Sequence, residues 1–148
     1  MAEKSKVVFT KIRNMSKLLD VGTGNAVLAL GIAGAGYAKL LAPVKDGMLR
    51  NSIQYITGTG KTGGLNDSEG DTASGILSAA LRRYESAVGA SASYATYVEY
   101  GTRFQAPQVF LRASLLLLAG VAASVVKKKM DDEFEMGVLK YGQQRTEF

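Results

Sequence analysis

Between Pro107 and Met130 the chain is apolar almost all the way round a helical wheel. Phe110, Leu111, Leu115, Leu116, Leu117, Leu118, Val121 and Val125 leave no polar side. The spacing predicts a helix over 107–130, with Pro107 in its first turn and Lys127, Lys128 and Lys129 at the negative end of its dipole. Such a helix must be covered on more than one side. A chain of 148 residues builds one modest core, so neighbouring subunits are the natural remaining cover. The lipid alternative is not expected. The longest apolar run, Leu115–Val126, is broken by Gly120 and Ser124 and falls short of the roughly 20 residues a spanning helix needs. Lys4 and Lys6 have no apolar stretch after them, so no signal peptide is expected either.

A second helix is predicted over 18–42. Leu28, Ile32, Ala35 and Lys39 fall near one face; Leu30, Gly34, Tyr37 and Leu41 fall near another. Gly22, Gly24, Gly31, Gly34 and Gly36 weaken it as a lone helix, each by about 1 kcal/mol relative to Ala. They also permit close approach of another backbone, so packing must hold it. Pro43 ends it. Ahead of it, residues 1–17 form a basic arm or first helical turns. Lys4, Lys6, Lys11, Arg13 and Lys17 stand against Glu3 alone and supply most of the formal net charge of +5. An acidic neighbour or nucleic acid would suit such an arm.

The middle of the chain reads as a small sheet. Asp46-Gly47 signals a turn. Ser52–Thr57 is rich in β-formers, with Ile53, Tyr55 and Thr57 on one face and Ile56 on the other. Residues 58–75 hold Gly58, Gly60, Gly63, Gly64, Gly70 and Gly75 and read as a long mobile loop or an extended hairpin tip. Residues 76–90 suit helix or strand; strand is favoured over 82–90. Residues 94–101 predict a short helix ended by Gly101 at positive φ. The expected class is α+β: a long N-terminal helix, a small mostly antiparallel sheet with a long Gly-rich loop, a short helix and a C-terminal helix. The expected division is a 1–17 arm, one domain over 18–130 and a polar tail over 131–148.

Composition removes most catalytic chemistries. There is no Cys and no His. Thiolate metal sites, Cys nucleophiles and His-based triads are therefore excluded. Two glycine motifs remain as possible enzyme signals. Leu18-Leu-Asp-Val-Gly-Thr-Gly-Asn25 resembles the cofactor loop of S-adenosylmethionine methyltransferases, which needs a strand before it and an acidic strand end about 20 residues on. Lys11–Lys17 is polar, and Leu40–Pro43 occupies the second place. Gly58-Thr-Gly-Lys-Thr62 resembles the end of a phosphate-binding loop, but Tyr55 stands where the first glycine is needed. Asp131, Asp132, Glu133 and Glu135 read as a solvated face rather than a metal or acid–base site.

Three segments, in order, carry a family resemblance: Leu41-Ala-Pro-Val-Lys-Asp-Gly-Met-Leu-Arg-Asn-Ser-Ile53, Tyr94-Ala-Thr-Tyr-Val-Glu-Tyr-Gly-Thr102 and Ala106-Pro-Gln-Val-Phe-Leu-Arg-Ala113. The set resembles the neck or tail-completion proteins of long-tailed double-stranded DNA phages, relatives of the minor tail protein Z type. It covers about residues 38–115. Two departures stand out. Val109 separates Gln108 from Phe110 where the family commonly has Pro directly before Phe. Lys45-Asp46 replaces a common Asp-Thr pair.

The resemblance implies a virion structural protein with no reaction and no cofactor. It would be one ring, preferably sixfold, around the DNA channel between head connector and tail. Its implied partners are further copies of itself, head-closure or connector proteins, the tail terminator or tail tube protein, and genomic DNA in transient, sequence-independent contact. Assembly in the host cytoplasm and a place in the virion follow; no membrane is involved. A tail terminator is the near alternative, a small methyltransferase the enzymatic one. Motif residues implied for fold and assembly are Pro43, Gly47, Leu49, Arg50, Ser52, Ile53, Tyr94, Ala95, Tyr97, Glu99, Tyr100, Gly101, Thr102, Pro107, Phe110 and Leu111. Lys4, Lys6, Lys11 and Arg13 are the candidate basic contacts. Glu99 reads either as a helix-surface acid paired with a local Arg or as one half of an intersubunit salt bridge with Arg50, Arg103 or Arg112. The helices 107–126 and 18–42 are the candidate subunit interface, heterologous if the ring closes.

Overall fold

The computed structural model describes residues 2–45, 47–63 and 81–142; within these, the side chains of 2–16, Thr62 and 138–142 are outside the description. The elements are α1 (Ala2–Leu41), α2 (Met48–Asn51), β1 (Ile53–Thr57), β2 (Thr62–Gly63), β3 (Ser86–Ala90), α3 (Ala95–Tyr100) and α4 (Leu111–Gly142). The class is α+β. The strands form one antiparallel sheet in the order β2-β1-β3. Ile53 pairs with Ala90 and Thr57 with Ser86; Tyr55 faces Val88 on one side and Gly63 on the other.

The two long helices run antiparallel, and small residues set their distance. A Cβ on Gly22 would stand 3.0 Å from Met130 Sδ, and one on Gly34 3.3 Å from Leu118 Cδ2. On α4, Gly137 leaves no room for a Cβ against the Leu18 side chain. Asn25 Nδ2 donates to Glu133 Oε1 at 2.6 Å. Gly31 receives the Tyr55 ring, so the sheet lies against the same helix. The small-residue pattern is thus met inside the chain. The stretch Lys17–Leu41 is long and apolar enough, by length and composition alone, to cross a membrane, contrary to expectation. The criterion is met by its leucines, valines, Ile32 and alanines, while interspersed glycines and polar residues break up any continuous run of large apolar residues. Ala26, Ala35 and Ala38 on it are buried.

Several boundaries differ from expectation. Of the two readings of the basic lead-in, arm or first helical turns, the backbone takes the second and is continuous with α1. A one-turn helix, α2, precedes the strand, because Gly47 enters it with φ +73°. Only Ser86–Ala90 of the expected 82–90 strand is extended. Before it, Arg82–Glu85 closes a turn, with Glu85 N donating to Arg82 O at 3.0 Å. That turn is fastened to α1, since Asp20 accepts from both Arg83 and Tyr84. The C-terminal helix starts at Leu111, four residues after Pro107. It also passes the expected end at 130, because Met130, Glu133 and Gly137 keep it packed on α1. Asp46, the 64–75 part of the glycine-rich loop, residues 76–80 and residues 143–148 lie outside the described residues.

Neither glycine motif keeps its enzymatic reading. Leu18–Asn25 is interior to α1, so the strand-to-helix turn a methyltransferase loop needs does not exist. Gly58–Thr62 forms the β1–β2 hairpin turn. Thr57 N donates to Lys61 O at 2.9 Å and Gly60 N to Thr57 O at 2.8 Å, with Gly60 at φ +81°. Its backbone donors are used internally rather than aimed at a phosphate.

Candidate functional site: a junction of three motif segments

The three sequence segments converge on one small core. Ala35 and Ala38 on α1, Ala42 just after it, Leu49 on α2, Ile53 on β1, Ala95 and Val98 on α3, and Phe110 just before α4 pack together. Phe110 is fully buried. The large ring fills the space that the alanines of α1 leave open, which is why small and large residues alternate across this junction.

The backbone stitches the segments. Ser91 N donates to Ser52 O at 3.0 Å, and Gln108 N donates to Val98 O at 2.8 Å. Ser52 Oγ donates to Leu49 O at 2.7 Å, closing α2. Gly101 ends α3 at φ +79°, and a Cβ there would stand 2.8 Å from both Gln105 O and Pro107 N. Only glycine fits that corner. After it, Thr102 and Gln105 exchange backbone bonds at 2.9 and 3.2 Å, and Thr102 Oγ1 accepts from Phe104 N at 3.3 Å. This rigid turn holds Phe104 outward, 93% exposed. Pro107 is exposed and lies in the extended connection, not in a helix.

Glu99 is not a surface acid, and its carboxylate is engaged within the chain. It is 4% exposed, and its carboxylate covers the start of α4. Oε2 accepts from Phe110 N at 2.8 Å and Leu111 N at 3.0 Å; Oε1 accepts from Arg112 N and Arg112 Nε, both at 3.1 Å. A helix start carries unpaired N–H groups and a partial positive charge, so an anion there satisfies both. Of the three arginines weighed as partners, Arg112 pairs with Glu99, within one chain. Burial alone would push the Glu99 carboxyl up. The backbone N–H groups of Leu111, Phe110 and Arg112, with the Arg112 guanidinium, outweigh burial and hold it below the usual carboxylate range. Arg112 also stacks on Tyr100, 4.9 Å from the ring centre.

The remaining motif residues divide by exposure. Leu49, Ile53, Ala95 and Phe110 are buried, and Pro43, Gly47, Arg50, Ser52 and Leu111 are partly buried. Arg50 Nε is buried without a partner among the described residues. Tyr94, Tyr97 and Tyr100 are exposed. A groove of about 400 Å³ opens between the Pro43–Leu49 turn and Tyr94, Val98, Gln105 and Gln108. Among the described residues no three acidic side chains converge as a metal site would require. Lys4, Lys6, Lys11 and Arg13 lie on α1, where side chains are outside the description. Sequence reading missed Ser91 as a stitch and Phe104 as the most exposed large apolar side chain among the described residues. Only the neighbouring Gly101 signalled the tight turn.

A family model described as "Bacteriophage HK97-gp10, putative tail-component" matches residues 10–101, more than half of the chain. No curated protein and no solved structure matches. The match takes in the first motif segment and the second up to Gly101. The third lies beyond it and is bound to the second by Glu99.

Proposed function

The chain belongs to the HK97-gp10-like family of bacteriophage tail components, and on that premise we propose that it forms a ring in the phage neck. The ring joins the head connector to the tail and encloses the DNA channel. It is sixfold, assembles in the host cytoplasm and ends in the virion. Its neighbours are a head-closure or connector protein on one side and the tail terminator or tube protein on the other. The N-terminal part of α1, rich in Lys and Arg, meets DNA without sequence preference or an acidic neighbour. Its work is binding, without cofactor or reaction.

The observation that carries this reading is the outer side of α4. One side packs on α1 through Leu118 and Met130. Leu115, Leu116 and Leu117 remain exposed, Leu116 by 77%. A contiguous leucine run in water marks an interaction surface. On α1, Leu19, Val21 and Ile32 are exposed as well.

The test is electron microscopy of a lysate from phage with this gene disrupted. Filled heads beside unattached tails of normal length are expected. Tails of abnormal length would assign the chain to tail termination instead. Intact infectious particles would overturn a structural role altogether.

A further inference from the structure

The sheet ends on a strand whose outer edge is open. β3 is the last strand in the order β2-β1-β3, and its residues are all partly exposed. Antiparallel pairing aims alternate residues at the neighbouring strand. Gly58 N donates to Glu85 O and Ser91 N to Ser52 O. In this register Glu85, Ala87, Gly89 and Ser91 are therefore the positions turned toward β1. Ser86, Val88 and Ala90 send their N–H and C=O groups the other way. Among the described residues no backbone group pairs with them there.

Exposed edges are usually blunted by a charged side chain, a Pro or a bulge. Ser86-Ala-Val-Gly-Ala90 has no charge and no Pro, and its register against β1 is unbroken from Ser86 to Ala90. Its side chains are small, so nothing shields the edge. The helix layer also reaches past the sheet on this side. A Cβ on Gly34 would meet both Val88 and Leu118, so α1 lies under β3 with α4 next to it. Leu118 is only half-buried, and Leu115, one turn earlier, is 52% exposed. One more strand, at the usual spacing of about 4.8 Å, would carry the sheet toward α4.

We propose that the outer edge of β3 receives an extended segment of a different virion protein as a fourth strand. Its main chain pairs with Ser86, Val88 and Ala90, and its inward side chains are apolar and rest toward Leu118. Main-chain bonds supply the affinity and alternate side chains the specificity. The choice of a foreign strand rests on the ring reading. Of the described strands in this chain, β1 is internal and β2 is two residues long. The extended stretch before α4 contains Pro107 and spends the Gln108 N–H on Val98 O, so it supplies no ladder. That leaves β3 itself, and β3 against β3 is a two-fold pair, which closes as a dimer rather than a ring.

Residue-resolved amide exchange on the free chain and on purified particles tests this. In the free chain Ser86, Val88 and Ala90 should exchange about a hundredfold faster than Ala87 and Gly89. In particles the three should slow to match those two. Ser86→Pro removes one outward N–H and leaves the β1 ladder whole, a place where an edge strand accepts proline. It should melt close to wild type yet enter particles about tenfold less. Ser86→Ala, which keeps the N–H, should enter normally. A photoreactive side chain in place of Ala87 should link, within particles, to peptides of another virion protein. Particle-bound chains whose three amides exchange as in the free chain would overturn the fourth strand and leave the ring. Linkage to β3 of another copy would overturn it in favour of a two-fold contact. If Ser86→Pro does not fold, the exchange comparison on wild type still decides. A wild-type chain missing from purified particles overturns the ring reading, and the foreign strand with it.

Discussion

Glu99 Oε2 accepts the backbone N–H of Phe110 at 2.8 Å, across eleven positions of sequence. The bond joins the end of one motif segment to the start of another and aims α4. Replacing Glu99 by Ala exposes three helix-start donors to an apolar pocket. The expected loss of unfolding free energy is about 2–4 kcal/mol, read from urea denaturation. Glu99→Gln keeps an acceptor and should lose less than half of that. A loss under about 0.5 kcal/mol for Glu99→Ala, the range of ordinary surface changes, would show that the cap does not hold the junction.

Acid should loosen the same joint. An unfolded Glu titrates near about 4.3, and in the folded chain Glu99 is held lower. Between those values the unfolded chain binds more protons than the folded one. The stabilisation is therefore present above the unfolded value and is lost as pH falls through the folded one. Urea midpoints of the wild type should fall more steeply below pH 4.3 than those of Glu99→Gln. Equal slopes would contradict the assignment.

Glycines should split into two groups. Gly101→Ala forces a side chain into the positive-φ region with backbone 2.8 Å away, and should cost about 1–3 kcal/mol or more. Gly36 is an exposed helix position with nothing within 4 Å of a Cβ. Gly36→Ala should stabilise by about 0.5–1 kcal/mol. Thermal melts of the pair, moving in opposite directions, check this.

Close helix approach predicts a third cost. A Cβ on Gly34 would stand 3.1 Å from Val88 Cγ2 and 3.3 Å from Leu118 Cδ2. Gly34→Val pushes β3 and α4 off α1 together, for about 1–3 kcal/mol of overpacking. A melt unchanged from wild type would mean the layers shift freely.

Leu116 should matter to assembly and not to folding. It is 77% exposed on α4, so Leu116→Lys should change stability by no more than about 0.5 kcal/mol. In the ring it would bury a charge, so native mass spectrometry should show smaller species. An unchanged oligomer would remove the outer α4 leucines from the interface.

The elements themselves were largely legible locally. Pro43 stops α1 because a residue before proline avoids helical angles. The β-forming residues of Ser52–Thr57 mark β1, and Gly101 ends α3. The family resemblance, too, rests on ordered local motifs. The partners of those elements were not legible. An all-apolar helix announces that it needs covers, yet nothing in Leu115–Leu118 says that Leu118 faces Gly34 while Leu116 faces water. Gly22 and Gly24 read locally as helix positions that admit a close neighbour; only the antiparallel pairing of α1 with α4 makes Met130 the neighbour of Gly22. Glu99 reads as a surface acid, since its own helix gives it an exposed-looking neighbourhood. Its role comes from N–H groups that begin eleven residues later, and a helix start has no address in sequence until the tertiary structure brings it within reach. Local angles and periodicity follow from neighbouring residues. The choice of which face is buried, and which charge is used, belongs to contacts between distant ones.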